Sequence, residues 1–372
     1  MKMLLVTGLF HPSRLGGPAN TLYWLSKALV RAGVQVTVVT TDSHIEPEKV
    51  TADSWCDVDG IRVRYCSAKG ASLLKQLWHT RKEMKTADTV MLCDMFQRQI
   101  LPVAFMAKWR KKRIIWSPRG ELMGPALAGS RMKRWYLSIV SKHFGKYATF
   151  HATSEEEREM IYNHIGKDAR VVVIPNYIEL PTQQARDAGA ESYLLYVGRV
   201  TPIKALDRLV MGLSQSRLFK ESGYSLRIAG PNQNNYQEEL ERLIKENGLE
   251  GKVEFVGNVF GEAKFQLYAN ARFSCLLSHS ENFGNVVIEA LSQGTPVIAS
   301  KGTPWQSLNE EKAGYWIDNS PESIAACIDQ ALGLSESEYA AIRVNAQILA
   351  DRFDVSKNIG NWIKVMENKY YS

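Results

Sequence analysis

Short apolar runs rich in Val, Ile and Leu alternate with longer amphipathic stretches, and the series is completed once and then begins again. Met3–Thr7, Val34–Thr40, Ile61–Tyr65, Thr89–Cys93, Arg113–Trp116, Thr149–Ala152 and Val171–Ile174 read as strands of the first series. Asn20 is placed to cap a helix running to Ala32, with Leu22, Leu25, Leu29 and Val30 inward and Gly33 as its stop. Ser192–Val197, Ser225–Ala229, Val253–Val256, Phe273–Leu277 and Pro296–Ala299 make the second series, with a helix over Ala205–Ser214. Strands joined by helical crossovers run parallel and are covered on both faces. The expectation is therefore α/β: two tandem doubly wound, Rossmann-like domains facing across a cleft that holds the ligand. A length of 372 residues suits two domains of about 100–200 residues each. The polar, Pro/Gly-bounded segment from Glu179 to Gly189 separates 1–178 from 179–355. A last helix within 356–372 carries Trp362, Ile363, Val365 and Met366, and its candidate partner is the first domain.

Composition removes other classes. No run reaches the ~18 apolar residues of a membrane-spanning helix, and Met1–Thr7 is too short for a signal peptide. Five scattered cysteines without a C-x-x-C pair suit a reducing cytosol and speak against a disulfide scaffold or structural zinc. Charge is uneven, with 27 Lys and Arg against 16 Asp and Glu in residues 1–180, and 19 against 23 in the remainder. Residues 101–150 carry eleven basic residues against one acid, Glu121, which predicts an anionic partner for the first half. Trp109, Trp116, Trp135, Tyr136 and Phe144 are interleaved with them, a mixture that suits single-stranded nucleic acid or anionic lipid.

The most informative segment runs from Ser278 to Leu291, S-H-S-E-N-F-G-N-V-V-I-E-A-L, between a strand and a helix. That is the carboxyl edge of a parallel sheet, where such folds bind ligands. Gly284 and Asn285 open the helix and offer backbone N–H groups to an anion. Glu281 and Glu289 are eight residues apart, roughly 12 Å along a helix, too far for one hydrolytic centre but suited to gripping two parts of an extended ligand. A second turn, Gly198-Arg199-Val200-Thr201-Pro202-Ile203-Lys204, also follows a strand and places two cations where a diphosphate could be clamped. A third, Leu15-Gly16-Gly17-Pro18-Ala19-Asn20, lets backbone approach a ligand closely.

Taken in order and spacing, these segments resemble the retaining glycosyltransferases of family 4, of the GT-B fold. Ile174-Pro175-Asn176 and Gly294-Thr295-Pro296-Val297-Ile298-Ala299 extend the resemblance over nearly the whole chain. Ser117-Pro118-Arg119-Gly120 and His151-Ala152-Thr153-Ser154-Glu155 are similar to the bacterial branch that builds capsule, exopolysaccharide and O-antigen. The resemblance implies that Arg199 and Lys204 bind the donor diphosphate and stabilise the leaving nucleotide. Glu281 would face the donor sugar, with Gly198, Asn282, Phe283, Gly284 and Asn285 around sugar and phosphate, and Glu289 on the ribose hydroxyls. Gly16 and Gly17 would let the first domain close over the diphosphate and keep the site dry. It further implies a hexose-type donor, UDP- or GDP-linked, no metal and no other cofactor. The acceptor would be a glycan or polyprenyl-diphosphate-linked glycan, and the enzyme a cytoplasmic monomer peripheral on the inner face of the cell membrane. With that reading the basic stretch faces anionic lipid, through Lys111, Lys112, Arg131, Lys133 and Arg134, rather than nucleic acid.

One departure stands out: where many relatives carry a His after the fifth strand, this chain has Ser117-Pro118-Arg119-Gly120-Glu121. Arg119 is the candidate replacement, and His279, His11 and Arg14 are further candidates beside the glycine loop and the main motif. Asp57-Val58-Asp59 imitates a D-x-D metal motif but precedes Gly60 and a strand, so it reads as a turn. Glu155-Glu156-Glu157 reads as the acidic first turn of a helix capped by Ser154, and Trp305 as packing. The histidines show no H-x-x-x-H or H-E-x-x-H spacing. Two rivals are a nucleotide-sugar epimerase of the same architecture, whose acid/base residues are not placed here, and a dinucleotide oxidoreductase, which lacks its G-x-G-x-x-G. A non-enzymatic nucleotide-sugar binder is the third.

Overall fold

The central strands form where successive residues are apolar, as a sheet covered on both faces requires, while strands toward the edges alternate, as Ile61–Cys66 does. The computed structural model describes residues 1–13, 17–123, 130–187 and 192–369. In chain order the first unit runs β1 (Lys2–Val6), α1 (Gly17–Arg31), β2 (Gln35–Thr41), β3 (Ser54–Val58), β4 (Ile61–Cys66), α2 (Ser72–Glu83), β5 (Thr89–Cys93), α3 (Ile100–Trp109), β6 (Arg113–Ser117), α4 (Arg131–Phe144), β7 (Thr149–Ala152), α5 (Glu155–Ile165) and β8 (Arg170–Val173). The second runs β9 (Tyr193–Val197), α6 (Leu206–Gln215), α7 (Arg217–Glu221), β10 (Ser225–Ala229), α8 (Tyr236–Glu246), β11 (Val253–Gly257), α9 (Gly261–Asn270), β12 (Phe273–Leu276), α10 (Asn285–Ser292), β13 (Val297–Ser300), α11 (Ser307–Glu310), β14 (Gly314–Ile317), α12 (Pro321–Leu332) and α13 (Glu336–Asp351). A final helix, α14 (Val355–Glu367), belongs to the first unit, which comprises Met1–Glu179 and Val355–Ser372; the second is Leu180–Asp354.

Among the described residues the first sheet is ordered β3-β4-β2-β1-β5-β6-β7-β8 and the second β11-β10-β9-β12-β13-β14. The second sheet is parallel throughout. The first is parallel except for β3, which pairs antiparallel with β4 and was not expected from the sequence. Its half-buried residues give no apolar run to read. Asp59 (φ 51°) and Gly60 (φ 81°) make the two-residue hairpin turn, where positive φ at both positions matches the strand twist. Asp57 Oδ1 accepts the Gly60 N–H at 2.9 Å, so the D-x-D look-alike is turn chemistry. β14 is likewise absent from the strands read in the sequence, being only four residues long and opened by a glycine.

Other boundaries moved for local reasons. The first helix begins at Gly17 rather than being capped by Asn20, and Val30 is only half-buried, against the Gly60 turn. The segment read as a linker is laid along the second unit. Gln184 N donates to Gln293 Oε1 (2.8 Å) and Asp187 N to Asn270 Oδ1 (3.0 Å), while residues 188 and 189 lie outside the described ones. Glu179 falls with the first unit, accepting from Lys27 (2.7 Å) and Arg31 (2.9 Å) of α1.

In the first core, Leu4, Val6, Val90, Leu92 and Ile114 of the sheet pack with Val103, Leu137 and Val140 of the helices. Trp116 stacks 6.0 Å from Phe150 and meets Phe144 edge-on at 5.5 Å. α14 lies against α1 and buries Trp362, Val365 and Met366. The Trp362 ring sits 4.6 Å from that of His151 on β7. His151 is fully buried, with Nε2 2.8 Å from the Ile174 carbonyl oxygen and Nδ1 2.7 Å from Ser117 Oγ. A carbonyl only accepts, so Nε2 carries a proton, and because burial disfavours the charged ring Nδ1 is bare and accepts from the Ser117 hydroxyl. Burial, with Arg119 nearby, pushes its pKa down to about 3.

This gives a pH dependence of stability. Above pH 6.5 both folded and unfolded chains hold the ring neutral, and His151 adds no slope. As pH falls from 6.5 toward 3 the unfolded chain gains a proton that the folded one refuses, so stability drops, by up to about 1.4 kcal/mol per pH unit. In urea unfolding, His151→Gln should flatten the slope between pH 6.5 and 5; an identical slope would show that the ring does not resist protonation.

Candidate functional site

In the second sheet the strand order reverses between β9 and β12, which pair directly through Phe273 with Leu194 and Ser274 with Leu195. The turns that follow these two strands hold the two strongest sequence motifs, and the reversal sets them side by side. His279 N donates to the Ile203 carbonyl at 2.9 Å, and Lys204 Nζ forms an ion pair with Glu281, both side chains being largely buried. Lys204 ends a short 3-10 turn, Pro202–Lys204, stopped by Ala205 in the left-handed region at φ 51°. No propensity signal marks an alanine for that conformation.

Close backbone approach shapes both turns. The Tyr196 hydroxyl donates to the Arg199 carbonyl at 2.7 Å, and a Cβ on Gly198 would lie 2.8 Å from that hydroxyl. Arg199 is exposed, with Nη1 3.4 Å from Gln233 Oε1. Glu281 N donates to the Gly302 carbonyl at 2.9 Å, so the loop after β13 braces the turn after β12. Phe283 is buried against Trp305 and Phe353, and the Trp305 indole donates to the Phe283 carbonyl, so both rings are packing. Gly284 precedes α10 at φ 84°, and a Cβ there would meet Leu276 Cδ2 at 2.7 Å; glycine is required twice over.

Asn282 and Asn285 flank that glycine, and α10 opens at Asn285 with the positive end of its dipole at the turn. Glu289, on the second turn of α10, is buried; its carboxylate accepts from Lys264 Nζ (2.8 Å) and the Tyr268 hydroxyl (3.4 Å). His279 is exposed on the rim, its Nδ1 3.2 Å from Asn319 Nδ2. The edge thus offers a preset cation–carboxylate pair, an exposed guanidinium and a helix N-terminus, a set able to hold a diphosphate and the group attached to it.

The first sheet reverses between β1 and β5. Gly17 starts α1 there, whereas Gly16 and Arg14 lie outside the described residues. His11 stacks on Tyr23 at 4.3 Å, and burial lowers its pKa. Arg119 adopts φ 53° after β6 and reaches Asn176 Oδ1 at 3.3 Å. Around it stand carboxylates that sequence spacing did not single out. Asp94 follows β5 at φ 78°, and burial, then Glu121, push its carboxyl up to about 6 despite Arg119. Glu121 accepts from the N–H groups of Met95 and Phe96. Glu157 turns inward from the capped helix to accept from Gly120 N (2.6 Å) and Thr153 N (2.7 Å), so it does more than complete an acidic first turn. Three-residue spacing from Ser154 marked the cap, but nothing in the pattern told which glutamate is buried. Among the described residues no three His, Cys, Asp or Glu cluster to hold a metal, and no helix is long and apolar enough to cross a membrane.

Comparison with known proteins places this geometry. The family described as glycosyl transferases group 1 matches residues 182–347, and the one described as glycosyl transferase 4-like domain matches 16–177. A GDP-mannose:cellobiosyl-diphosphopolyprenol alpha-mannosyltransferase from Xanthomonas oryzae is 25% identical, over 98% of this chain and 96% of that protein. HepE of Anabaena, solved in complex with UDP and glucose, superposes with a TM-score of 0.76 at 19% identity, covering 98% of this chain and all (100%) of that one. Sucrose-phosphate synthase from Thermosynechococcus elongatus gives 0.78 at 18% identity, covering 100% and 99%. With both halves matched in order, and with two parallel-sheet α/β units of the GT-B fold, the chain belongs to the group 1 glycosyltransferases.

Proposed function

We propose that this glycosyltransferase moves a hexose-type sugar from a nucleotide diphosphate donor to a lipid-linked glycan, with retention at the anomeric carbon. The carrying observation is the Lys204–Glu281 pair, fixed by adjacent strands beside Arg199 and the α10 N-terminus. In the reaction the bond from the anomeric carbon to the diphosphate oxygen is replaced, on the same face, by a bond to the acceptor hydroxyl oxygen. Negative charge collects on the departing diphosphate, beside Arg199 and Lys204, whose fixed cations substitute for a metal ion. Glu281 faces the donor sugar and keeps Lys204 oriented, Asn282 to Asn285 contact sugar and phosphate, and Glu289 takes the ribose while Lys264 holds its carboxylate.

The donor is UDP- or GDP-linked. The similar Xanthomonas protein is named for GDP-mannose and a diphosphopolyprenol acceptor, and HepE was solved with UDP. That acceptor class favours a role in bacterial capsule, exopolysaccharide or O-antigen synthesis, with a monomer working in the cytoplasm at the inner membrane face. Arg119 stands in place of the family histidine, because the nearby His151 is enclosed and hydrogen-bonded at both nitrogens. A nucleotide-sugar epimerase of the same architecture is the rival, and it would change the donor sugar without any acceptor.

Two measurements test this reading. In a thermal-shift panel of nucleoside diphosphates and their sugars with EDTA present, the matching base should stabilise by about 2.7 kcal/mol at ~100 times its dissociation constant. A shift that needs added metal would refute metal independence. Lys204→Ala and Glu281→Gln should each lower sugar transfer on the order of 100- to 1,000-fold, with melting temperatures close to wild type. Near-normal turnover in both would remove the assigned site.

A further inference from the structure

Three neighbouring helices of the first unit each turn a pair of large apolar side chains to solvent. On α2 they are Leu74 (67% exposed) and Trp78 (59%), on α3 Phe105 (40%) and Trp109 (79%), and on α4 Met132 (79%) and Trp135 (66%). Each pair is three or four residues apart, so both members share one helical stripe. The strands joined by these helices follow one another in the same direction across the sheet, and right-handed crossovers put all three helices on one side. Arg110 Nη1 donates to the Arg81 carbonyl (2.6 Å), tying α3 to the end of α2. Phe105 meets Phe144 edge-on at 5.0 Å, tying α3 to α4.

The exposed pairs are surplus to the core, because the inward stripes already carry Val103, Leu137, Val140 and Phe144. Isolated exposed hydrophobics are ordinary, but a run of them across adjacent helices marks an interaction surface. Its charge names the partner. The three helices hold eight Lys and Arg and a single acid, Glu83, paired with Arg62 at 2.9 Å; Lys75 pairs with Asp53 and Lys108 donates to the His143 carbonyl, which leaves six further basic residues on these helices. Lys82 Nζ lies 5.5 Å from the Trp78 ring centroid, a basic head beside an amphipathic ring.

We propose that the outer face of α2, α3 and α4 inserts into an anionic bilayer through these six side chains. The proposal builds on the lipid-linked acceptor inferred above and gives it a docking surface. Tryptophan suits the headgroup layer, Leu, Phe and Met the acyl boundary, and Lys and Arg extend to lipid phosphates. Nucleic acid could stack on the tryptophans, but would leave Leu74, Phe105 and Met132 against water. The surface shares α3 and α4 with the basic stretch of the sequence and adds α2, but not every residue of that stretch belongs to it. Trp116 and Phe144 of that stretch are buried, and Lys108, Arg110 and Lys112 donate to carbonyls.

The test uses the full chain and vesicles of phosphatidylglycerol with phosphatidylethanolamine, against phosphatidylcholine alone, with no sugar nucleotide. Wild type should co-sediment with the anionic vesicles, part of the binding should survive 0.5 M NaCl (roughly a 3–4 Å screening length), and tryptophan emission should shift to the blue. Trp78→Ser, Trp109→Ser and Trp135→Ser combined should weaken partition about tenfold or more with an unchanged melting temperature; if the triple variant aggregates, Trp135→Ser alone should show a smaller loss in the same direction. Wild-type partition in these variants, no vesicle binding by wild type, or displacement by an oligonucleotide would each overturn the proposal. Vesicle binding without sugar transfer would sink the assigned function and leave the surface standing. Transfer to a water-soluble acceptor without vesicle binding would do the reverse.

Discussion

Strands β9 and β12 are neighbours although about eighty residues separate them, and the chemistry of the second unit depends on that pairing. A parallel sheet needs a helical crossover for every strand, so sequence neighbours are pushed apart and distant turns are brought together. Where the order reverses, the crossovers depart to opposite sides and leave the carboxyl edge open. The glycines there answer the crowding this causes. A Cβ at Gly230 would fall 1.8 Å from the Gly198 carbonyl oxygen, and one at Gly302 would fall 2.5 Å from those of Ser278 and His279. Backbone fills the space a side chain would need, and the ion pair between Lys204 and Glu281 is held from both sides.

The parts of this arrangement legible in the sequence are those with local causes. Apolar runs located the central strands, because a strand buried on both faces has little room for polar residues. The motif turns were legible because glycine, basic residues and a helix start recur together after strands. What escaped was set by partners far along the chain. β3 is only half-covered and has no apolar run, and β14 is a four-residue strand too short to stand out. α14 belongs to the first unit, but the residues that hold it there, His151 and those of α1, lie more than 150 residues earlier, and no pattern in 356–369 names them. Asp94 and Glu157 are single acids whose burial depends on Arg119 and on N–H groups from other loops.

The basic excess of residues 101–150 illustrates how a count differs from a surface. Lys108, Arg110 and Lys112 donate to main-chain carbonyls of His143, Arg81 and Ala87, at or near helix ends where the dipole is negative. Lys146 pairs with Asp168, and Arg119 is turned among buried acids. Much of the charge therefore finishes helices and supports the interior. Of the remainder, Lys111 and Arg113 are exposed around the start of β6, and Arg131, Lys133, Arg134 and Lys142 lie on α4; the basic residues of α2 fall outside the stretch altogether.

The carboxyl edge of the first sheet follows a different electrostatic rule from that of the second. There a cation and a carboxylate meet directly, Lys204 with Glu281. Here Asp94 sits between two opposing influences: burial and Glu121 favour its neutral form, while Arg119 and the Gly8 backbone favour the anion. Its carboxyl settles near 6, so near neutral pH it gives up or takes a proton at small cost. The buried His151 is excluded from that role because both ring nitrogens are committed. Arg119, in its left-handed turn after β6, sets a guanidinium beside Asp94 and Glu157. Proton exchange at this edge therefore falls to a carboxylate held between burial and an arginine, and not to the enclosed imidazole.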